Sequence, residues 1–465
     1  MSTLKSQASQ VWNDFNEIYY YPNMKRGGPL EVELIVSPKC NLACKYCYVN
    51  RYYHQVYPDD MYNPQLVIEN SMKYLKALTK KGLAPDIDIF SGEFLAQKVG
   101  YDLLEEMYNY YKDLPLDLRP MNIVIPSNFT FICSDELTQH VRDLIYKFWS
   151  LDICLYLSAS VEGKILEENR PASRIIDLNL EVIRDDAYYD KVLEFMKEFG
   201  FGCHPMVAAE GIEKWIDNFN WWQEMLKKHD MPWDAIYLLE VRNADYWTEE
   251  QLLEYKKFLR YIFNFAMERC KETNIDFLDW CLKLNHFSAD GQEIIDDDGV
   301  GWTNGFNILM QPFSTNANGI GCNIQQHTAV RCADLMVVPC HRLMYEQFHI
   351  GKIVIDDNYD MHFDTINAEL GLTLPMINAD IFPKCNTCPI NQCCIQGCLG
   401  AQYEATGDLF TPIPTICRMM YVKLATLIDC WKESGYWERL VQIINPKILN
   451  QLLRFYYEKC DKGDT

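Results

Sequence analysis

Residues 31–50, EVELIVSPKCNLACKYCYVN, pass from a nearly unbroken apolar run into a loop that carries Cys40, Cys44 and Cys47 within eight residues. The apolar run reads as a strand buried on both faces. Three thiols on one short loop can hold three corners of a four-iron, four-sulfur cube, leaving the fourth iron without a protein ligand. An open metal position marks a place where something else must bind. The rival reading is structural zinc, which favours four closed ligands, commonly as two CxxC-like pairs. The partner pair is missing from this neighbourhood, and Tyr46 and Tyr48 crowd the loop, so the cluster reading is preferred.

Outward from that loop, the chain alternates short β-rich runs with longer helical ones. EVELIVS (31–37), DIDIF (86–90), NIVIPSN (122–128), DICLYLSAS (152–160), CHPMVAA (203–209) and AIYLLEVR (235–242) read as six strands. Asn63-Pro64 gives an N-cap with proline at the first helical position. Thr248 followed by Gln251 reads as a capping box. Six βα units in order predict an α/β fold, a partial (β/α)6 TIM-type barrel with right-handed crossovers. Functional groups then gather beyond the C-terminal ends of the strands. Cys40, Ser91-Gly92-Glu93, Ser127-Asn128 and Ser158 all fall there.

The expected organisation is an N-terminal extension (1–30), the barrel (31–260), a helix and acidic linker or insertion (261–320), a cysteine-rich metal-folded domain (321–430) and a helical tail (431–465). The cysteine-rich segment shows little periodicity, so metal rather than an apolar core is expected to hold it. A composition with 49% apolar residues is globular. A formal charge of −22 argues against a nucleic-acid partner, since lysine and arginine displace phosphate counterions. No apolar run reaches the ~18 residues needed to cross a bilayer. The N-terminus also lacks the build of a secretory signal. A cytoplasmic location follows, and 19 cysteines in a reducing compartment point to metal or redox chemistry.

CxxxCxxC after the first strand, with Tyr46 before its last cysteine, resembles the radical S-adenosylmethionine (SAM) superfamily. The resemblance implies that the open iron binds the amino and carboxylate groups of SAM. A reduced cluster then generates a 5′-deoxyadenosyl radical that abstracts hydrogen from substrate. Further stretches carry it. Ser91-Gly92-Glu93 stands where the family keeps Gly-Gly-Glu for the SAM amino group, and Asn128-Phe129 resembles the third-strand Asn-Gly. LSASVEGKILEENRP keeps Ser158 and Arg170 of a fourth-strand segment but not its Asp-Gly, and Tyr46 is expected near the adenine.

A second array, KCNTCPINQCCIQGC, spaces Cys385, Cys388, Cys394 and Cys398 as CxxCx5CxxxC, with Cys417 after it and Cys322, Cys332 and Cys340 before. By chemistry alone, zinc and iron–sulfur both fit. The spacing is similar to the SPASM extension of radical SAM enzymes, although the glycine expected five residues before Cys340 is Leu335. That resemblance implies two auxiliary four-iron clusters, three in all with the first. The outer cluster falls to Cys385, Cys388, Cys394 and Cys417; the inner one falls to Cys322, Cys340 and Cys398. Cys332 reads as a fourth inner ligand, the alternative being a bystander that leaves that cluster open. Cys393 is not expected to ligate.

SPASM proteins act mainly on peptides, so the resemblance implies a peptide maturase that crosslinks, epimerises, oxidises or excises. An electron donor such as flavodoxin or ferredoxin is implied with it. Sulfatase-maturing relatives carry an acid after the second cysteine; here that position is His341, which weakens the sulfatase reading and makes His341 a candidate base or hydrogen bonder. Only 39 residues precede Cys40, too few for a leader-binding winged helix of ~80 residues, so leader binding, if any, is expected to use a separate partner protein or a surface of this chain such as the 271–320 insertion. A small-molecule substrate (amine, sugar or amino acid) and a non-enzymatic metal-stabilised module are the alternatives.

Overall fold

The computed structural model describes residues 10–11, 14, 17, 21–57, 61–173, 178, 180–241, 247–283, 306–309, 324, 327–377, 382–391, 394 and 398–460. Ten strands lie among the described residues: β1 (Glu31–Ser37), β2 (Asp86–Ser91), β3 (Asn122–Ser127), β4 (Cys154–Ala159) and β5 (Met206–Val207). After them come β6 (Leu239–Glu240), β7 (His327–Arg331), β8 (Met336–Val338), β9 (Gly351–Ile355) and β10 (Met361–Thr365). All six strands expected from the sequence are present. The chain forms two compact units, Met1–Ser160 with Pro171–Val192 and Asn323–Ile377, and Val161–Arg170 with Leu193–Cys322 and Asn378–Thr465.

The first unit holds an eight-stranded sheet in the order β10-β9-β8-β7-β1-β2-β3-β4. β7, β1, β2, β3 and β4 run parallel. Their register sets Val32 beside Ile87 and Ile123 beside Leu155, all buried, so one face is a continuous apolar layer. The intervening helices Pro64–Lys80, Lys98–Tyr111 and Asp135–Trp149 bury Met72, Leu75, Leu103, Met107, Leu144 and Phe148. Each such side chain contributes about 1.5–3 kcal/mol by leaving water. Asn63 caps the first of these helices by accepting the amides of Gln65 and Leu66, as its sequence predicts.

The opposite face is polar. Glu31 pairs with Asp86 and Glu33 with Asp88 across β1 and β2. Burial, reinforced by Glu31, Glu33 and Asp86, pushes the Asp88 carboxyl up to about 8. Parallel strands covered by core on both sides are apolar on both. The acids on this face set it apart from a core layer.

Residues 327–365 depart from expectation. They carry their own apolar core, with Ala329, Val330, Val337, Val338 and Ile353 buried, and they extend the sheet through β7 and the antiparallel β8–β10. The strands are three to five residues long, too short to show a period against a cysteine-rich background.

In the second unit β5 and β6 pair in parallel, with a further bridge between Cys203 and Ile236. Helix Glu249–Glu272 opens on the expected Thr248–Gln251 capping box and buries Phe258 against Trp215. Lys423, on helix Pro414–Glu433, meets the Glu240 carboxylate away from solvent, and Tyr255 donates to the same oxygen at 2.7 Å. Among the described residues no helix is long and apolar enough to cross a membrane.

Candidate functional site

The three-cysteine loop leaves β1 at Ser37 and is held from several sides. Ala43 donates its amide to the Pro171 carbonyl at 2.8 Å, Ser173 donates to Asn41 at 3.1 Å, and Cys47 closes a turn on Cys44 at 3.0 Å. Cys40, Cys44 and Cys47 are half-buried, and Tyr46 is buried beside them. Burial first, then the neighbouring Cys44, pushes the Cys40 thiol well up, with Glu93 and Cys47 adding to it. Held as thiolates, three cysteines this close would need a cation among them. Two donors already aim at Cys40 Sγ, the Leu42 amide at 3.4 Å and Asn128 Nδ2 at 3.9 Å, as suits a thiolate that carries metal charge. Donor type and N–H···S contacts thus fit an iron–sulfur group.

Ser91-Gly92-Glu93 lies against that loop. Gly92 donates to the Ser37 carbonyl at 2.8 Å and Glu93 to Lys39 at 2.9 Å. A Cβ on Gly92 would stand 2.4 Å from the Lys39 carbonyl oxygen, so the approach excludes any side chain. The Glu93 carboxylate accepts from Ser127 Oγ at 2.8 Å and from the amides of Leu95 and Asn128, tying the loops after β2 and β3 together. Gln97, which no motif points to, staples the whole arrangement. Its Nε2 reaches the carbonyls of Lys39 and Glu93 at 3.0 and 2.7 Å, and its Oε1 accepts from Ser37 Oγ at 2.7 Å.

Asn128 donates from Nδ2 to Asn41 at 3.0 Å, and its Oδ1 receives both the amide and the hydroxyl of Thr130. The next residue explains a departure from the family pattern. Phe129 has φ of 60°, the left-handed region where the resembling sequences carry glycine, and its buried ring packs on Phe131 at 5.1 Å. Leu335, the other missing glycine, repeats this with φ of 60°. Both backbones keep the glycine conformation without the glycine.

Ser158 sits on β4, paired with Pro126 and half-buried. Arg170 belongs to the second unit, where its Nε lies 4.0 Å from the Glu162 carboxylate, both side chains nearly enclosed. Gly163 has φ of 102°, and a Cβ there would meet Asn218 and Trp222 at 2.6 Å. Gly163 thus holds a backbone position that a side chain would not fit, beside the enclosed Glu162.

Around Cys340, His341 Nδ1 lies 2.9 Å from Glu33 Oε1, and its ring lies flat on Phe90 at 4.1 Å. The Arg342 guanidinium covers the Tyr48 ring at 4.0 Å. These contacts join the residue after Cys47 to the residues after Cys340. Cys332 is fully buried, its amide bonded to the Ile35 carbonyl, and burial pushes its thiol up to about 12 although the Ser71 side chain bonds to it.

In the second unit Cys385, Cys388, Cys394 and Cys417 come together around Tyr421. The tyrosine hydroxyl lies 3.3 Å from Cys388 Sγ. Burial, then Cys417 and Cys388, pushes the Cys385 thiol up to about 11. The charges of Cys388, Cys417 and Cys394 all act on the Tyr421 hydroxyl. Cys385, Cys388 and Cys417 act on one another, and Cys394 acts on the same tyrosine, a donor set whose chemistry suits an iron–sulfur group. Cys398 is half-buried at the start of helix Leu399–Thr406. Cys322 and Cys393 lie outside the described residues. Among the described residues no three His, Cys, Asp or Glu side chains converge on a position for a single ion.

No family model matches the chain. It is 29% identical over 91 residues to the radical SAM cyclopropyl synthase TigE of Paramaledivibacter caminithermalis, a match that spans 18% of this chain and only 19% of that protein. In fold it is similar to the solved structure of anSMEcpe with bound AdoMet, at a TM-score of 0.55 and 15% identity, over 91% of this chain and 98% of that one. The structure of anSMEcpe with bound AdoMet and Cp18Cys peptide is similar at a TM-score of 0.52 and 16% identity, over 89% and 98%. The shared mixed α/β fold is thereby shown. The resemblance to radical SAM enzymes read from the motifs stands with it, carried in sequence by one segment.

Proposed function

We propose that the protein is a radical SAM enzyme that abstracts hydrogen from a peptide and so modifies it. The observation that carries this reading is the half-buried Cys40–Cys44–Cys47 loop, braced by the Gly92–Lys39 contact and by Gln97 and Asn128. A four-iron cluster on those cysteines, with SAM bound, supplies the 5′-deoxyadenosyl radical. Ser91, Gly92 and Glu93 position the SAM amino group, Tyr46 flanks the adenine, and Asn128, Ser158 and Arg170 complete the SAM contacts in this reading. Gln97 fixes the spacing between the cysteine loop and the residues after β2.

Cys385, Cys388, Cys394 and Cys417 hold an outer auxiliary cluster, and Cys322, Cys340 and Cys398 an inner one. Cys332, wholly enclosed, is the inner cluster's fourth ligand in this reading, the alternative being a bystander that leaves that cluster open. His341, with Nδ1 turned to Glu33, keeps Nε2 to take up a substrate proton. A flavodoxin or ferredoxin delivers electrons, and a separate protein presents the peptide leader. Peptide as substrate is supported by the fold shared with a protein solved with a bound peptide. A small amine is the second reading, favoured by the acidic side chains of Glu31, Glu33 and Asp88 on the polar sheet face.

The test is anaerobic reconstitution, reduction with dithionite and assay of 5′-deoxyadenosine with and without peptide. Nucleoside that disappears in a Cys40/Cys44/Cys47 triple alanine variant, with about twelve irons per chain for three four-iron clusters, is the expected result. Zinc in place of iron, with no nucleoside, overturns it. Stimulation by amines but by no peptide replaces the substrate class alone.

A further inference from the structure

The second cysteine array contains a side chain that metal ligation does not use. Tyr421 stands one helical turn after Cys417 on helix Pro414–Glu433, with its hydroxyl 3.3 Å from Cys388 Sγ. Its ring is stacked on Phe455 of helix Pro446–Cys460, with centroids 5.3 Å apart and planes 17° from parallel, and Phe455 is buried. Cys417 and Tyr421 also form part of the wall of a groove of about 490 Å³, together with Leu252, Leu253, Val422 and Phe455. Leu253 is 59% exposed, so the groove opens to solvent on this side. The half-buried Cys417 and Tyr421 thus line the same solvent-open groove.

Against a metal-bound thiolate, which has no proton, a phenol O–H is the donor and the sulfur the acceptor. A hydrogen bond to a ligand sulfur stabilises the more negative, reduced state of an iron–sulfur group more than the oxidised one. The stack on Phe455 holds the ring that carries this hydroxyl.

We propose that Tyr421 is a positioning residue that raises the reduction potential of the metal group on Cys385, Cys388, Cys394 and Cys417 through its hydrogen bond to Cys388. The proposal rests on reading those four thiols as ligands of an iron–sulfur cluster. It assigns the outer array a tuned potential, set by one hydroxyl.

Tyr421→Phe removes the hydroxyl and keeps the ring and its stack. The full chain is reconstituted, its iron counted, and each cluster's midpoint followed by electron paramagnetic resonance during a potentiometric titration. The outer cluster's signal is the one lost in Cys388→Ala. In Tyr421→Phe that signal is expected at full iron content with its midpoint moved to lower potential, while the other midpoints stay in place. A full complement of iron with no midpoint moved overturns the role of Tyr421 and leaves the cluster reading standing. Iron lost from Tyr421→Phe also overturns it, since the hydroxyl then serves loading and not potential. An iron count that Cys388→Ala does not lower, or zinc at this array in the parent chain, removes the cluster reading and the proposal with it.

Discussion

The two cysteine groups are built by opposite means. The Cys40 loop is fixed by the sheet beside it: carbonyls of Ser37 and Lys39 receive the amides of Gly92 and Glu93, and Gln97 closes the gap between them. The array of the second unit hangs on short turns. Cys385 and Cys388 sit in and just after the four-residue helix Pro383–Asn386, and Cys394 bonds through its amide to Ile390. Only Cys417 stands on a long helix, Pro414–Glu433. One group is organised by protein before metal arrives, whereas the other gains much of its order from the metal itself.

Metal removal is the strongest way to break that contrast. In chelated protein, the amides of Cys388 and Cys394 are expected to lose their hydrogen-exchange protection by orders of magnitude, while those of Gly92 and Glu93 keep most of theirs. Peptide-resolved exchange on the apo and reconstituted chain reads both at once. Equal loss in the two places would mean the first loop is metal-ordered too.

Gly92→Ala attacks the prebuilt side. Its Cβ would stand 2.4 Å from one carbonyl oxygen and 2.6 Å from another, both backbone, so the loops must separate. Strain of this kind costs about 1–3 kcal/mol, occasionally more. The expected outcome is a lower denaturation midpoint and at least tenfold weaker SAM binding by equilibrium dialysis. Unchanged SAM binding would show that the contact serves folding alone.

Much of this was legible in the chain itself. The six early strands, the Asn63 and Thr248 caps and the ordered SAM-type motifs are local patterns, and local patterns survive in sequence. Gln97 was not legible, because its role exists only where Lys39 and Glu93 come together in space. β7–β10 were obscured because strands of three to five residues show no period and the cysteines around them drew the reading toward metal.

The polar face of the sheet gives a gentler test of what is built in. Asp88 titrates at about 8 in the folded chain, pushed up by burial and then by its acidic neighbours. Its unfolded value is near 3.9, about, so between those two values the folded state binds more protons, and stability falls as pH rises through that window. Asp88→Asn removes the titrating group. The variant is expected to come nearest the parent's melting temperature at pH 4 and to exceed it increasingly toward pH 8, as scanning calorimetry at both pH values would read. A parent that is no less stable at pH 8, or a variant that keeps the slope, would assign the pH dependence elsewhere.

The smallest expected effect separates the two residues that stand in place of glycine. Phe129 and Leu335 share a φ of 60°, so each carries the left-handed penalty of roughly 1–2 kcal/mol. They differ in what the side chain returns. Phe129 is wholly buried, and truncating a buried phenylalanine costs about 3–5 kcal/mol, so Phe129→Gly is expected to be strongly destabilising. Leu335 sits in the turn between β7 and β8, its amide on the Arg331 carbonyl at 2.8 Å and its own carbonyl receiving Ile353 at 3.0 Å. Losing the leucine side chain costs about 1.5–3 kcal/mol, against which relief of strain offsets most. Leu335→Gly should therefore shift stability by no more than about 1 kcal/mol and leave iron content unchanged, by urea titration and metal analysis. A loss as large as that of Phe129→Gly would show that Leu335 holds the β7–β8 turn by packing, so that the two replacements of glycine share a cause and not merely a backbone angle.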